Sequence, residues 1–176
     1  MDENEAARYL NSVAWGMAEE GENLEQAEML SAKSLELQKQ ALENGEKPDY
    51  FSKKQFENSL SSGLASYYDT YGLINYKLGN IEEAVAAQEK AVTDHSSPEV
   101  NTRYVQFLNE TGNYKKAREA AEGFIKNNRG TAEMKNYLEE AYAKTEAAGN
   151  FEEYMSSLQK VADKQLKQDL REEMIE

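Results

Sequence analysis

Among the residues that could do chemistry, the single histidine and three adjacent pairs of glutamates come first. His95 follows Asp94, and the acidic pairs are Glu82-Glu83, Glu139-Glu140 and Glu152-Glu153. Such groups can act in acid–base catalysis or bind a metal ion. His95 lies at the expected end of a helix, where an imidazolium complements the helix dipole, so we interpret it as a capping or solvated residue. Adjacent glutamates diverge on a helix and most of these pairs fall near helix starts, so we interpret them as solvated acids.

The recognisable motifs of enzymes are missing from the chain. It has no cysteine, which excludes thiol chemistry, disulfides and thiolate metal sites. It also lacks a GKS or GKT phosphate loop, a GxGxxG after a strand, a GxSxG serine and a calcium-ligand loop. The sequence therefore predicts a protein that is not an enzyme and uses no cofactor or metal ion. A hydrolase that uses the acidic residues is a minor alternative.

The composition favours a helical and acidic protein. Only 2 of the 176 residues are proline, 30% are charged, and strand formers are scattered. The 20 Lys and Arg residues face 33 Asp and Glu residues, which gives a net charge of -13. Nucleic acids are bound by clustered cations, so we expect no nucleic-acid partner. No stretch approaches the ~20 apolar residues that a membrane span needs, so we expect no span in this chain.

A Gly-Asn pair recurs along the chain, each time ahead of an apolar residue. Its copies begin at Gly79, Gly112 and Gly149. The spacings, 112 − 79 = 33 and 149 − 112 = 37, are close to the ~34-residue period of helix-turn-helix tetratricopeptide repeats. An earlier copy, with one extra residue in its turn, begins at Gly21. The sequence therefore predicts an all-α fold, a right-handed superhelical solenoid of about four tetratricopeptide-like repeats.

Small residues near the Gly-Asn pair predict tight packing within each hairpin. Gly72 and Ala84 are small where two helices would approach closely, and Tyr68 would fill the space beside them. Glycine readily takes the left-handed conformation that ends a helix, so Gly79 is predicted to end the first helix of its hairpin. In the fourth repeat Tyr154 stands where alanine is expected, which predicts a looser or terminal repeat.

We expect one helical domain over residues 1–176, with one insert between its first two repeats. In the insert, Ser52-Lys53-Lys54-Gln55 has capping-box spacing and predicts a helix start. Whether this helix pauses at Ser61-Ser62-Gly63 is open, as is whether the insert is a spacer or binds a partner. The predicted repeats cover about 5–42, 64–97, 98–131 and 132–165, with the insert at 43–63 and an extended C-terminal helix at 151–173.

The first helix of each predicted repeat would line a concave surface. A groove of tyrosine, leucine, amides and acids suits an extended peptide, which would bind through hydrogen bonds and apolar contacts. Basic residues are sparse there, with Lys77 and Arg103 the nearest, so we expect weak affinity for acidic peptide tails. The residues predicted to face this groove are Tyr9, Ser12, Glu19, Asp69, Leu73, Tyr76, Lys77, Thr102, Gln106 and Asn109.

Several longer stretches carry a more specific resemblance. They are LNSVAWGMAEEGENLEQAEMLSAKSLEL at 10–37, YYDTYGLINYKLGNIEEAVAAQEKAV at 67–92, GTAEMKNYLEEAY at 130–142 and the final QLKQDLREEMIE. Together they resemble the helical repeat region that precedes the thioredoxin domain in some TlpA-like thiol-disulfide oxidoreductases of the bacterial cell envelope. That family uses a Cys-x-x-Cys pair, which this chain lacks, so no catalytic residue can be carried over.

The resemblance implies a function in binding. The chain would be a non-catalytic accessory module of a thioredoxin-like oxidoreductase, which binds a partner or substrate protein through its concave face. Its partners would be a protein or peptide and a thioredoxin-like domain that follows in the same parent chain. The resemblance implies a periplasmic or envelope location, with the cytoplasm as the alternative. The alternative function is a free-standing tetratricopeptide adaptor that assembles a complex.

Overall fold

In a computed structural model, all regular secondary structure among the described residues is helical. The described residues are 2–45, 47, 49–146 and 149–173, and they contain no strand. The predicted all-α fold is therefore confirmed. The helices are α1 (Glu3–Glu20), α2 (Leu24–Asn44), α3 (Lys53–Leu78), α4 (Ile81–Ala91), α5 (Pro98–Glu110), α6 (Tyr114–Lys126), α7 (Met134–Thr145) and α8 (Phe151–Glu173).

The chain divides into two compact units of four helices each, Met1–Ser96 and Ser97–Glu176. We call them unit 1 and unit 2. In unit 1, α1 packs against both α2 and α3, α2 packs against α3, and α3 packs against α4. In unit 2, α6 packs against α5, α7 and α8, and α5 also packs against α7. Each helix thus contacts its neighbour in sequence, its neighbour but one, or both.

The core of unit 1 is built from small side chains surrounded by larger ones. One buried cluster contains Ala14, Ala18, Ala27 and Ile74, and its outer members are Met17, Leu30, Leu73 and Leu78. Alanine at these positions lets α1, α2 and α3 approach closely, while the larger side chains fill the space around them. A second cluster, with Ala7, Leu35 and Tyr67 buried, continues the same packing along the helices.

The Gly-Asn pairs at Gly79 and Gly112 end helices, as predicted, whereas α7 ends at Thr145, before the pair at Gly149. Gly79 has a left-handed φ of 84° at the end of α3, and Gly112 has a φ of 74° after α5. At each turn the following asparagine donates its backbone N–H to a carbonyl five residues earlier, from Asn80 to Asn75 and from Asn113 to Leu108. A residue with a Cβ is disfavoured in this backbone conformation. The turn therefore depends on glycine.

The insert lengthens two helices and forms the turn between them. Ser52 and Gln55 form the predicted capping box, with each side chain bonded to the backbone of the other residue. From there α3 continues unbroken through residues 61–63 to Leu78. The buried Gln38 side chain of α2 donates to the Leu60 carbonyl at 2.9 Å and fixes the two helices side by side. From the sequence, Gly45 and Pro48 predict the end of the preceding helix; α2 ends at Asn44, directly before Gly45, and Pro48 lies outside the described residues.

The contact between α3 and α4 leaves no room for a side chain at residue 72. A Cβ built on Gly72 would lie 2.8 Å from the Gln88 Oε1 atom and 3.3 Å from the Ala84 carbonyl oxygen. Gln88 is itself held by donating to the Asp69 carboxylate at 2.6 Å. The predicted close approach of Gly72 and Ala84 is therefore confirmed.

Candidate functional site

The predicted groove residues of α1 lie on its exposed side. Tyr9 is 61% exposed and Ser12 is also exposed. They project away from the buried side of the helix, which carries Ala7, Ala14 and Ala18. An exposed tyrosine offers a partner both an apolar ring and a hydrogen-bonding hydroxyl. This side of α1 is thus available as a contact surface.

The pairing of α1 with α3 places three more predicted groove residues within the same unit. Leu73 is half-buried against the alanine cluster, and Tyr76 is also half-buried. Lys77 is exposed, but its Nζ donates to the Ala18 carbonyl at 2.5 Å, near the end of α1. A lysine in this position is stabilised by the negative end of the helix dipole. Its ammonium therefore already has a partner within the fold.

Asp69, also on α3, is buried rather than presented to solvent. It is 9% exposed, and its carboxylate accepts the hydrogen bond from the Gln88 side chain. A buried polar group of this kind fixes the register of the two helices that it joins. Its role in the described structure is to hold α3 against α4.

The groove residues predicted on α5 lie in unit 2, and two of the three are buried. Thr102 bonds to the Pro98 carbonyl at 2.7 Å and to the Thr131 hydroxyl at 3.1 Å. Asn109 donates to the Tyr137 carbonyl at 2.8 Å and to the Glu140 carboxylate at 3.0 Å. Gln106 is half-buried and donates to Glu110 at 3.1 Å. Thr102 and Asn109 therefore fasten α5 to the segments that follow α6.

Unit 1 also has a cleft that we did not predict from the sequence. It measures about 440 Å³ and lies between α2, α3 and α4. The Nζ atoms of Lys39 and Lys90 lie 5.4 and 5.1 Å from the centre of the Tyr68 ring, which suits cation–π attraction. Glu36 and Glu43 also line the cleft. Two cations facing two acids give no preference for a ligand of either charge.

A network centred on Arg118 joins α6, the end of α7 and α8 in unit 2. The guanidinium lies 4.9 Å from the centre of the Tyr142 ring and 5.0 Å from that of Tyr154. Its Nη1 donates to Glu146 at 2.9 Å, and its Nε donates to Glu122 at 3.2 Å and to the Tyr154 hydroxyl at 3.3 Å. Tyr154 in turn donates to Glu122. We call these five residues the Arg118 network.

The network shifts the protonation equilibria of its members. Burial, together with the hydrogen bond to the Glu122 carboxylate, raises the pKa of Tyr154 to about 12. Burial alone would raise the pKa of Glu122, but hydrogen bonds from Tyr154, Lys126 and Arg118 outweigh it and hold that pKa below its ordinary value. Burial opposes the charge of Arg118 as well, yet the same bonds and Glu146 raise its pKa. At neutral pH the network thus holds a neutral Tyr154 between the charged Arg118 and the charged Glu122.

This network is structural, because its polar groups bond to one another. Sequence reasoning missed it, although Tyr154 was noted as a departure from the repeat pattern. The tyrosine fills the space of the expected alanine and reaches the Tyr142 ring, 4.7 Å away between centres. Two features of the sequence could have indicated the network: Tyr154 replaces a small residue of the repeat pattern, and Arg118 lies one repeat earlier.

The residues first considered for chemistry are dispersed. His95 is exposed, beyond the end of α4, and its backbone N–H donates to the Thr93 hydroxyl. Glu82-Glu83 and Glu152-Glu153 lie in the first turns of α4 and α8, whereas Glu139-Glu140 lies in the middle of α7. Within the described residues, no three His, Cys, Asp or Glu side chains are grouped to hold a metal ion. No described helix is both long and apolar enough to cross a membrane.

Comparisons with protein-family models, with curated proteins and with solved structures found no match to this chain. The described residues define an all-helical protein in which most helices pack against the next helix in sequence. The tetratricopeptide and thioredoxin-associated resemblances stay predictions from the sequence.

Proposed function

We propose that this protein is an interaction module that binds a segment of a partner protein along the exposed side of α1 and α3. The observation that carries the proposal is Tyr9, a large aromatic side chain that is 61% exposed on a helix otherwise packed by alanines. Ser12 lies beside it on α1, and Tyr76 adds a half-buried ring on α3. Rings of this kind dominate protein interfaces because they bury a large area at low entropic cost.

The pattern of helix contacts supports the same proposal. Pairing of α1 with both α2 and α3, repeated in unit 2 as α5 with α6 and α7, is how stacked helical hairpins align their first helices. Such stacking is the arrangement of tetratricopeptide solenoids, and we propose it for this chain. Asp69, Thr102 and Asn109 are buried, so we remove them from the proposed binding residues. Within unit 1 the proposed surface keeps Tyr9, Ser12, Glu19, Leu73, Tyr76 and Lys77.

Site-specific photo-crosslinking tests this function. A photoreactive amino acid replaces Tyr9 in one variant and Met29 in another, because both side chains are exposed, at 61% and 63%, and lie on different helices of unit 1. In native cell extract, we expect a discrete crosslinked partner from position 9 and none from position 29. Equal crosslinking from the two positions, or none from position 9, would contradict the proposed surface.

We further propose that the module serves a thioredoxin-like oxidoreductase, on the strength of the sequence resemblance over 10–37, 67–92 and 130–142. Sequencing the native transcript beyond the codon for Glu176 tests this. An open frame that encodes a Cys-x-x-Cys motif would support it. A stop codon there would favour the alternative, a free-standing adaptor.

A further inference from the structure

The second half of α8 carries a continuous line of cations. Lys160, Lys164, Lys167 and Arg171 are spaced by four, three and four residues, so they lie on one side of the helix. Leu158 and Ala162, which are 4% and 0% exposed, face the core of unit 2 from the other side. We call the four cations the basic face of α8.

The basic face is not neutralised within the described chain. No described carboxylate lies within ion-pair distance of its four side chains. Three acids in the second half of the same helix accept hydrogen bonds from glutamines instead: Gln159 donates to Asp163 at 3.0 Å, Gln165 to Asp169 at 2.7 Å and Gln168 to Glu172 at 3.1 Å. The cations therefore remain available in a protein whose net charge is -13.

This arrangement disfavours the helix that carries it. Lys160 and Lys164 form a like-charge pair four residues apart, and so do Lys167 and Arg171, whereas Asp163 and Lys167 form one opposite-charge pair at the same spacing. Like-charge pairs destabilise an isolated helix. Every described side chain from Asp163 to Glu172 is exposed, so tertiary packing does not compensate. A helical segment of this length is marginal on its own in water.

The residues around the basic face indicate which kind of anionic partner would bind it. Leu166 and Leu170, which are 48% and 51% exposed, lie beside it and offer apolar contacts. Asp163 lines the same surface as the four cations, and its carboxylate would repel a continuous polyphosphate. A protein segment can instead present a few carboxylates at helical spacing together with apolar side chains. We propose that the basic face of α8 docks an acidic segment of a partner protein.

This site lies on a different surface from the one proposed on α1 and α3, so either can fail without the other. It also differs from the weak carboxylate binding expected at Lys77 and Arg103. At physiological salt the Debye length of about 8 Å screens the overall negative charge, while charges in direct contact still attract. Binding by the basic face is therefore compatible with an acidic protein.

Fluorescence anisotropy with the whole chain tests the proposal. The probe is a dye-labelled helical peptide of about sixteen residues, with glutamates spaced four, three and four apart and leucines beside them. The matched peptide carries glutamine at each glutamate. The variant is K164E/K167E, which turns the pairs 160/164 and 167/171 into opposite-charge pairs but places a second acid four residues after Asp163. Its helix content is therefore compared with that of the wild type by circular dichroism. Its matched control is K53E/K54E, the same charge change on α3.

We expect the wild-type chain to bind the glutamate peptide with a Kd of tens of micromolar, about tenfold more weakly in K164E/K167E and within about twofold in the control. The glutamine peptide should not bind, and the amides of residues 163–172 should exchange more slowly when the glutamate peptide is bound. No binding by the wild-type chain, or equal binding by K164E/K167E, would overturn the proposal.

Three further outcomes would also overturn it by assigning the face to another occupant. The first is tighter binding of a single-stranded DNA oligonucleotide of equal charge. The second is tighter binding of phosphatidylserine vesicles, again lost in K164E/K167E. The third is self-association in sedimentation that this variant abolishes while the peptide does not compete.

Discussion

At the residue scale, Tyr154 couples the stability of unit 2 to alkaline pH. Its pKa is raised to about 12 in the folded chain by burial and by the Glu122 carboxylate, against about 10 in an unfolded chain. Between these values the folded state holds a proton that the unfolded state has lost. The stabilising contribution is therefore fully present below about pH 10 and is lost as the pH rises to about 12.

The substitution Tyr154→Phe should remove this pH dependence. Between about pH 10 and pH 12 the wild type should lose about 1 kcal/mol more unfolding free energy than the variant, less than full linkage would give, because the hydroxyl is partly screened by solvent. Urea unfolding followed by circular dichroism at several pH values measures the difference. Parallel curves for the two proteins would show that the Tyr154 proton is not linked to folding.

Arg118 is a second residue whose chemistry, and not only its charge, holds unit 2 together. Lysine would keep the charge but could not donate from two nitrogens to Glu122 and Glu146 while lying against two rings. Arg118→Lys should therefore destabilise the protein by about 1–2 kcal/mol. The matched control, Arg171→Lys, changes an exposed residue without a described partner and should stay within about 0.5 kcal/mol. Equal effects of the two substitutions in urea unfolding would contradict the role given to the network.

The sequence predicts the exposure of some proposed groove residues correctly and that of others wrongly. Tyr9 and Ser12 are exposed, as expected for groove residues on the first helix of a repeat. Asp69 was also placed in the groove, but the side chain that binds it, Gln88, comes from the next helix, and no spacing within α3 shows that contact. Polar residues that bridge two helices look the same in a sequence as polar residues that face water.

At the element scale, local signals predicted helix ends but left the continuity of α3 open. The Gly79 turn and the Ser52 capping box depend on neighbouring residues, so the sequence contains the whole cause. The continuity of α3 through Ser61-Ser62-Gly63 depends on Gln38, which donates to the Leu60 carbonyl from another helix. Weak helix formers were retained because packing against α2 outweighs their local preference.

Two glycines inside helices should respond in opposite ways to substitution by alanine, because only one of them lies in a tight helix contact. Gly72→Ala would place a methyl group 2.8 Å from Gln88 and 3.3 Å from the Ala84 carbonyl, so it should destabilise the protein by about 1–3 kcal/mol. Gly16→Ala, on α1, adds a methyl group with no atom within 4 Å. It should be neutral or stabilise the protein by up to about 1 kcal/mol, since alanine favours a helix more than glycine does.

Thermal and urea unfolding of the two variants give the comparison. If both variants were more stable than the wild type, helix propensity and not the spacing of α3 and α4 would determine what these positions tolerate. If Gly16→Ala were as destabilising as Gly72→Ala, the open space at Gly16 would not explain its tolerance.

At the scale of the whole molecule, charge is distributed unevenly along the chain. Residues 1–96 hold 8 Lys and Arg against 18 Asp and Glu, a net charge of -10, whereas residues 97–176 hold 12 against 15, a net charge of -3. Described ion pairs in unit 1, such as Lys33–Glu36 and Lys53–Glu57, are largely exposed. Pairs of this kind contribute little to stability. Repulsion among acids should therefore outweigh attraction between ion pairs in unit 1.

Salt should accordingly stabilise this unit. Raising sodium chloride from about 0.02 M to about 0.2 M shortens the Debye length from about 20 Å to about 7 Å and should add about 1 kcal/mol to the unfolding free energy. Trp15, the single tryptophan, lies in α1, so its fluorescence during urea unfolding reports on unit 1. Glu19→Gln/Glu20→Gln removes two exposed charges near the end of α1 and should reduce the salt effect. If salt instead lowered the unfolding free energy, attraction in ion pairs would have to outweigh repulsion among acids in unit 1 despite its charge of -10. The acidic residues would then stabilise the fold rather than destabilise it.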